Sequence, residues 1–116
     1  MKSPCVKDAS ILYENAQMLL LRRNPNLAIV AANTTAKTTE LLKQVFVNSG
    51  DFRKLSVQNK INLADRTILI RLALINLIKN APSDEQIKSY KVALIKPNEF
   101  DTYLEDLLHT EEVISN

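Results

Sequence analysis

Glycine is nearly missing from this chain: Gly50 is the only one in 116 residues. Loops that cradle phosphate need several backbone positions without a Cβ, and all-β folds need many tight turns, so both are disfavoured. Tryptophan is absent, and three Tyr and three Phe are the only aromatics. The core must therefore be aliphatic, and no aromatic-rich basic surface is available to stack unpaired bases. One cysteine, Cys5, excludes an internal disulfide and fits a reducing compartment. The opening MKSPCVKDAS has no apolar signal core, so the expectation is a soluble, cytoplasmic protein.

The chemistry-bearing residues are equally sparse. One histidine, His109, and one cysteine, far apart in sequence, give no zinc-binding spacing. No P-loop, dinucleotide fingerprint or nucleophile elbow is present. His109 has no neighbour in sequence to orient it as a base and reads as an exposed bystander. Asp101 and Glu105, one helical turn apart, read as part of a solvated acidic face rather than as a cation site. The sequence thus points to no metal, no cofactor and no enzymatic activity.

What the chain has is aliphatic periodicity. Its length supports one all-helical domain, 1–116, with a real hydrophobic core. The most apolar stretch, INLADRTILIRLALINLI from Ile61 to Ile78, is apolar over most of a helical circumference and predicts a central buried helix at residues 57–80. It is too long for a typical strand and has no Gly or Pro. Asp65, Arg66 and Arg71, each costing about 2.5–3.5 kcal/mol near a bilayer centre, argue against a membrane span. Arg71 lies among apolar neighbours, so it either snorkels to water or pairs with an acid at a seam.

Signals for helix ends divide the remainder. Ser3-Pro4 opens a first helix that buries Val6, Ala9, Leu12, Tyr13, Ala16, Leu19 and Leu20 and ends near Arg22. Asn24-Pro25 opens a second, running to about Asn48 before Ser49-Gly50. Asp51–Leu55 reads as a short turn, and Ser56 caps the central helix. Ser83 to Gln86 has capping-box spacing and starts a fourth helix that stops before Pro97, with Lys91–Lys96 as an alternative strand. Asn98 caps a fifth, amphipathic helix with Phe100, Tyr103, Leu104, Leu107 and Leu108 on one face. The expected fold is an all-α bundle of about five helices around residues 57–80.

For function, the class left standing is a non-enzymatic protein-binding regulator or adaptor that acts through helix faces. Self-association is included, because so apolar a central helix is suited to meeting a second subunit. In the second helix Thr34, Thr35, Thr38 and Thr39 share a broad side with Ala28, Ala31 and Ala32. Small residues there serve either close internal packing or an uncharged docking groove. The alternative is a nucleic-acid-binding module. Residues 1–80 carry twelve Lys/Arg against five Asp/Glu, net +7, while residues 81–116 carry three against eight, net −5. Arg22, Arg23, Arg53 and Lys54 would form a phosphate-binding patch if the fold brought them to one end.

Overall fold

The computed structural model describes residues 5–115, with side chains through Thr110. Its described residues form four α-helices: α1 (Val6–Leu21), α2 (Ala28–Ser49), α3 (Val57–Lys79) and α4 (Asp84–Ser115). A 3-10 turn, Asp51–Lys54, joins α2 to α3. Two antiparallel hairpins, α1–α2 and α3–α4, lie side by side, with α2 against α4 and α1 against α3. No strand occurs among the described residues, so Lys91–Lys96 is helical.

The helix ends follow local chemistry. The Ser56 hydroxyl accepts the Asn59 N–H at 3.1 Å and caps α3. Ser83 accepts the Gln86 N–H at 3.3 Å, the N-cap bond that the capping-box spacing announces. Gly50, at φ 70°, ends α2 in the left-handed conformation, its N–H bonded to the Phe46 carbonyl at 2.9 Å. Arg23 takes the same region at φ 55° and ends α1. The Asn24 side chain then accepts the Asn26 N–H at 3.0 Å, and this turn delays α2 to Ala28 rather than Pro25. Ser3 and Pro4, expected to open the first helix, lie outside the described residues.

Two expectations are corrected. The fourth and fifth helices are one, because α4 runs through Pro97. Tyr90, Ala93, Pro97, Phe100 and Leu104 are all buried, at spacings of three and four, so proline is a core residue in an unbroken apolar stripe. Packing along that stripe outweighs the roughly 3 kcal/mol that an interior proline costs a helix. Asn98 therefore caps nothing, and its side chain oxygen accepts from Arg71 Nε at 2.7 Å.

The helix at residues 57–80 is also not the centre. It buries four of its 23 residues (Lys60, Thr67, Ile70 and Leu74), whereas α2 buries seven of 22. Inner position falls to α2, which packs on both α1 and α4, and to α4, which packs on both α2 and α3. Its Ala31, Ala32, Thr35 and Thr39 are fully covered and let the neighbouring backbones approach.

The scarce aromatics gather at one node. Phe100 stacks on Phe46 at 6.5 Å between centroids and meets the Tyr13 ring edge-on at 5.8 Å. Phe52, from the 3-10 turn, meets Phe46 edge-on at 5.5 Å, and Tyr103 stacks on Phe100 at 6.2 Å. Five aromatics thus join α1, α2, the turn and α4 through geometries favoured by ring quadrupoles.

Candidate docking face on α3 and α1

The threonine cluster of α2 is filled from within. Thr35, Thr38 and Thr39 are buried and Thr34 is partly covered. Their hydroxyls turn back on their own helix: Thr35 donates to Ala31 O at 2.7 Å, Thr38 to Thr34 O at 3.0 Å and Thr39 to Thr35 O at 2.6 Å. A hydroxyl satisfied by a carbonyl one turn back is small enough to bury without an outside partner. The cluster is internal packing, and the docking groove expected there is closed by the chain itself.

The four basic residues proposed for phosphate do not converge. Leu20, Leu21 and Arg23 meet Ala73 and Leu77 at one end of the bundle, while Ser10 meets Phe46 and Leu55 at the other. Arg22 and Arg23 therefore sit at the opposite end from Arg53 and Lys54, separated by most of α1, whose whole length is about 24 Å at 1.5 Å per residue. Lys54 is also paired with Asp51 at 3.3 Å. The antiparallel α1–α2 hairpin is the physical reason the patch is split.

Arg71 resolves into the paired reading. Its guanidinium reaches across to α4, with NH1 donating to the Asp101 carboxylate at 2.7 Å and Nε to Asn98. Arg71 is 34% and Asp101 15% exposed, so the pair is only partly wetted. Asp101 thus belongs to the α3/α4 seam rather than to the solvated acidic face, while Glu105 is exposed. Among the described residues no group of three or more His, Cys, Asp and Glu is placed to hold a metal ion. No helix among them is long and apolar enough to cross a membrane.

The open ground lies along α1 and α3. These helices meet along a thin seam, tied by Tyr13 and Thr67 at 2.6 Å between oxygens and by Arg66 and Glu14 at 3.5 Å. Thr67 donates to Leu63 O at 3.0 Å, so its oxygen accepts the Tyr13 hydroxyl proton. Burial pushes the Tyr13 pKa up to about 12, with the Thr67 hydrogen bond pulling the other way.

On the outer side of this seam α3 leaves much of its apolar surface uncovered. Ile61 is 44% exposed, Ile68 44%, Leu69 47% and Leu72 57%. Their spacing of three, four, seven and eight puts them on one broad stripe with half-buried Ala64 and Ile75. Leu21 and Met18 of α1 are 44% and 53% exposed. Met18 lies between Glu14 and Leu21 at helical spacing, and both of those reach α3. A groove of about 190 Å³, lined by Leu20, Leu21, Leu69, Leu72, Ala73 and Leu77, joins the two helices into one face.

A second groove, between α2 and α4, is lined by Ala36, Val92, Ala93 and Ile95. The Lys96–Glu40 ion pair at 3.4 Å bridges it, and Glu40 and then Glu99 raise the Lys96 pKa.

No family model, curated protein or solved structure matches this chain.

The α3/α1 face is half visible in the sequence. The run Ile61–Ile78 stands out for its apolarity, but apolarity alone assigns its outer half to the interior. The absence of a partner for that half becomes visible only once the arcs that α1 and α4 each cover are known.

Proposed function

We propose that this chain is a non-enzymatic protein-binding module, a regulator or adaptor that works through the outer face of α3 and the adjoining edge of α1. The observation that carries the reading is the run Ile68, Leu69 and Leu72, each about half exposed on one face and continuous with Leu21. Scattered exposed aliphatics are ordinary on a folded protein, whereas a contiguous apolar patch marks an interaction site. The polar residues along it fit this use. Gln58, Asn62 and Asn76 are exposed on the same side of α3 and supply neutral hydrogen-bonding groups beside an apolar centre.

The test is co-purification of the tagged chain from its native cells, with and without nuclease, using the wild type and Leu72→Asp. A near-stoichiometric protein companion that survives nuclease and is lost with Leu72→Asp is the expected result. Companions that vanish with nuclease, or that ignore the substitution, would overturn the reading.

A further inference from the structure

We infer that the partner this face fits is a second copy of the same chain, packed with its α3 antiparallel across a two-fold axis near Leu72. The inference rests on the reading of α3 and α1 as a docking face and adds the occupant. It is carried by the layout of charge. On the outer arc of α3 the apolar stripe has one acid, Asp65, and one base, Lys79, both exposed. Neither makes an ion pair among the described residues. They are fourteen residues apart, about 21 Å at 1.5 Å per residue, and nearly in line on the wheel.

The edge of α1 reinforces the basic end. Glu14, beside Asp65, is balanced by its ion pair with Arg66, whereas Arg23 stands level with Asn76 and Leu77, near Lys79. The face is therefore acid-bearing at one end, basic at the other and apolar between.

A two-fold axis lying in the interface, perpendicular to α3, keeps α1 over α1 and reverses height. Residue r of one helix then lies opposite residue 144 − r of the other. Leu72 meets Leu72, Leu69 meets Ile75, and Asp65 meets Lys79 at both ends. A parallel arrangement would instead set acid on acid and base on base. Self-complementarity of this kind is what an isologous interface requires.

The area is sufficient but not large. About half-exposed Leu21, Ile68, Leu69, Leu72 and Met18, with their polar rim, give roughly 1,200 Å² when doubled, the lower edge of specific interfaces.

Sedimentation velocity on the purified full chain across about 1–300 µM tests this, since that window brackets a micromolar Kd. The expected result is a monomer–dimer equilibrium abolished by Leu72→Asp, with the helical circular dichroism unchanged. The register has its own test. Asp65→Lys and Lys79→Asp each place like charges at both ends and are expected to weaken self-association by about ten-fold. An equimolar mixture of these two variants restores both attractions, and a heterodimer at least as tight as the wild type is expected. A wild type monomeric throughout, a dimer indifferent to Leu72→Asp, or a mixture no tighter than its components would each overturn the proposal. A monomeric wild type that loses a different, nuclease-resistant protein on Leu72→Asp would overturn the self-pairing and leave the docking face standing. A monomer with no such protein would sink both.

Discussion

Tyr13 puts a phenol in the middle of the bundle, its ring against Phe100 and its hydroxyl on Thr67. An unfolded tyrosine ionises near pH 10, and here burial moves the folded value to about 12. Between those values the unfolded chain has lost the proton and the folded chain keeps it. Its contribution to stability is thus complete below pH 10 and lost as pH rises towards 12, at up to about 1.4 kcal/mol per pH unit. Tyr13→Phe keeps the ring and removes this limb. It should cost about 1 kcal/mol at pH 8 for the lost hydrogen bond, because Thr67 retains Leu63 O. Urea denaturation at pH 8 and pH 11 should show the gap between wild type and variant closing at the higher pH. A constant gap would mean the phenol is not held neutral by the fold. Gly50 offers a purely conformational counterpart. Nothing lies within 4 Å of a Cβ built there, yet φ is +70°. Gly50→Ala should cost about 1 kcal/mol from the left-handed backbone alone, and Gly50→Asn less, in the same urea assay.

At the scale of elements, the bond between α3 and α4 turns on Arg71. Removing the guanidinium with Arg71→Met leaves the mostly covered Asp101 carboxylate without its counter-charge. The expected loss is about 1.5–3 kcal/mol, toward the lower end because Arg71 is partly wetted. Asp101→Asn in the Arg71→Met background should recover part of it, since an amide is cheaper than an unpaired charge to keep under cover. Equal losses in the single and double variants would show that the carboxylate is solvated well enough to need no partner. The same seam explains a misreading. Pro97 followed by Asn98 is the usual signature of a helix stop and a new cap, and local rules divide α4 there. Whether a proline ends a helix depends on what the flanking turns bury, and Tyr90, Ala93, Phe100 and Leu104 share one face across it. Asn98 serves Arg71, twenty-seven residues away in sequence, and no local pattern carries that distance. By contrast Ser56, Ser83 and Gly50 act within three or four residues of themselves. Those ends were legible for that reason.

Taken whole, the molecule was readable as to class and opaque as to arrangement. Aliphatic periodicity, one glycine and good caps are enough for an all-helical fold. The order of burial depends on which hairpin faces which, and that choice moved the interior from α3 to the α2/α4 contact. It closed the Thr35–Thr39 surface, while the α1–α2 hairpin by itself separated Arg22 and Arg23 from Arg53 and Lys54. It also turned the outer half of the most apolar helix towards solvent, and that half bears on stability as well as on binding. Leu72 is 57% exposed, so Leu72→Asp should cost an isolated chain only about 1 kcal/mol, from the covered part of the side chain and the lower helix propensity of Asp. If chains pair through this face, pairing stabilises only the folded form, and the midpoint of thermal unfolding must rise with concentration. Once most chains are dimeric, a hundred-fold increase in concentration adds about 1.4 kcal/mol per chain, which at this size is roughly 5 °C. Scanning calorimetry at low and high concentration should show that rise for the wild type and none for Leu72→Asp. At the dilute end, where both are monomers, the gap between the two proteins should narrow to the few degrees of that local cost. A variant that unfolds many degrees lower even when dilute would mean that Leu72 belongs to the core of its own chain and not to a face turned outward.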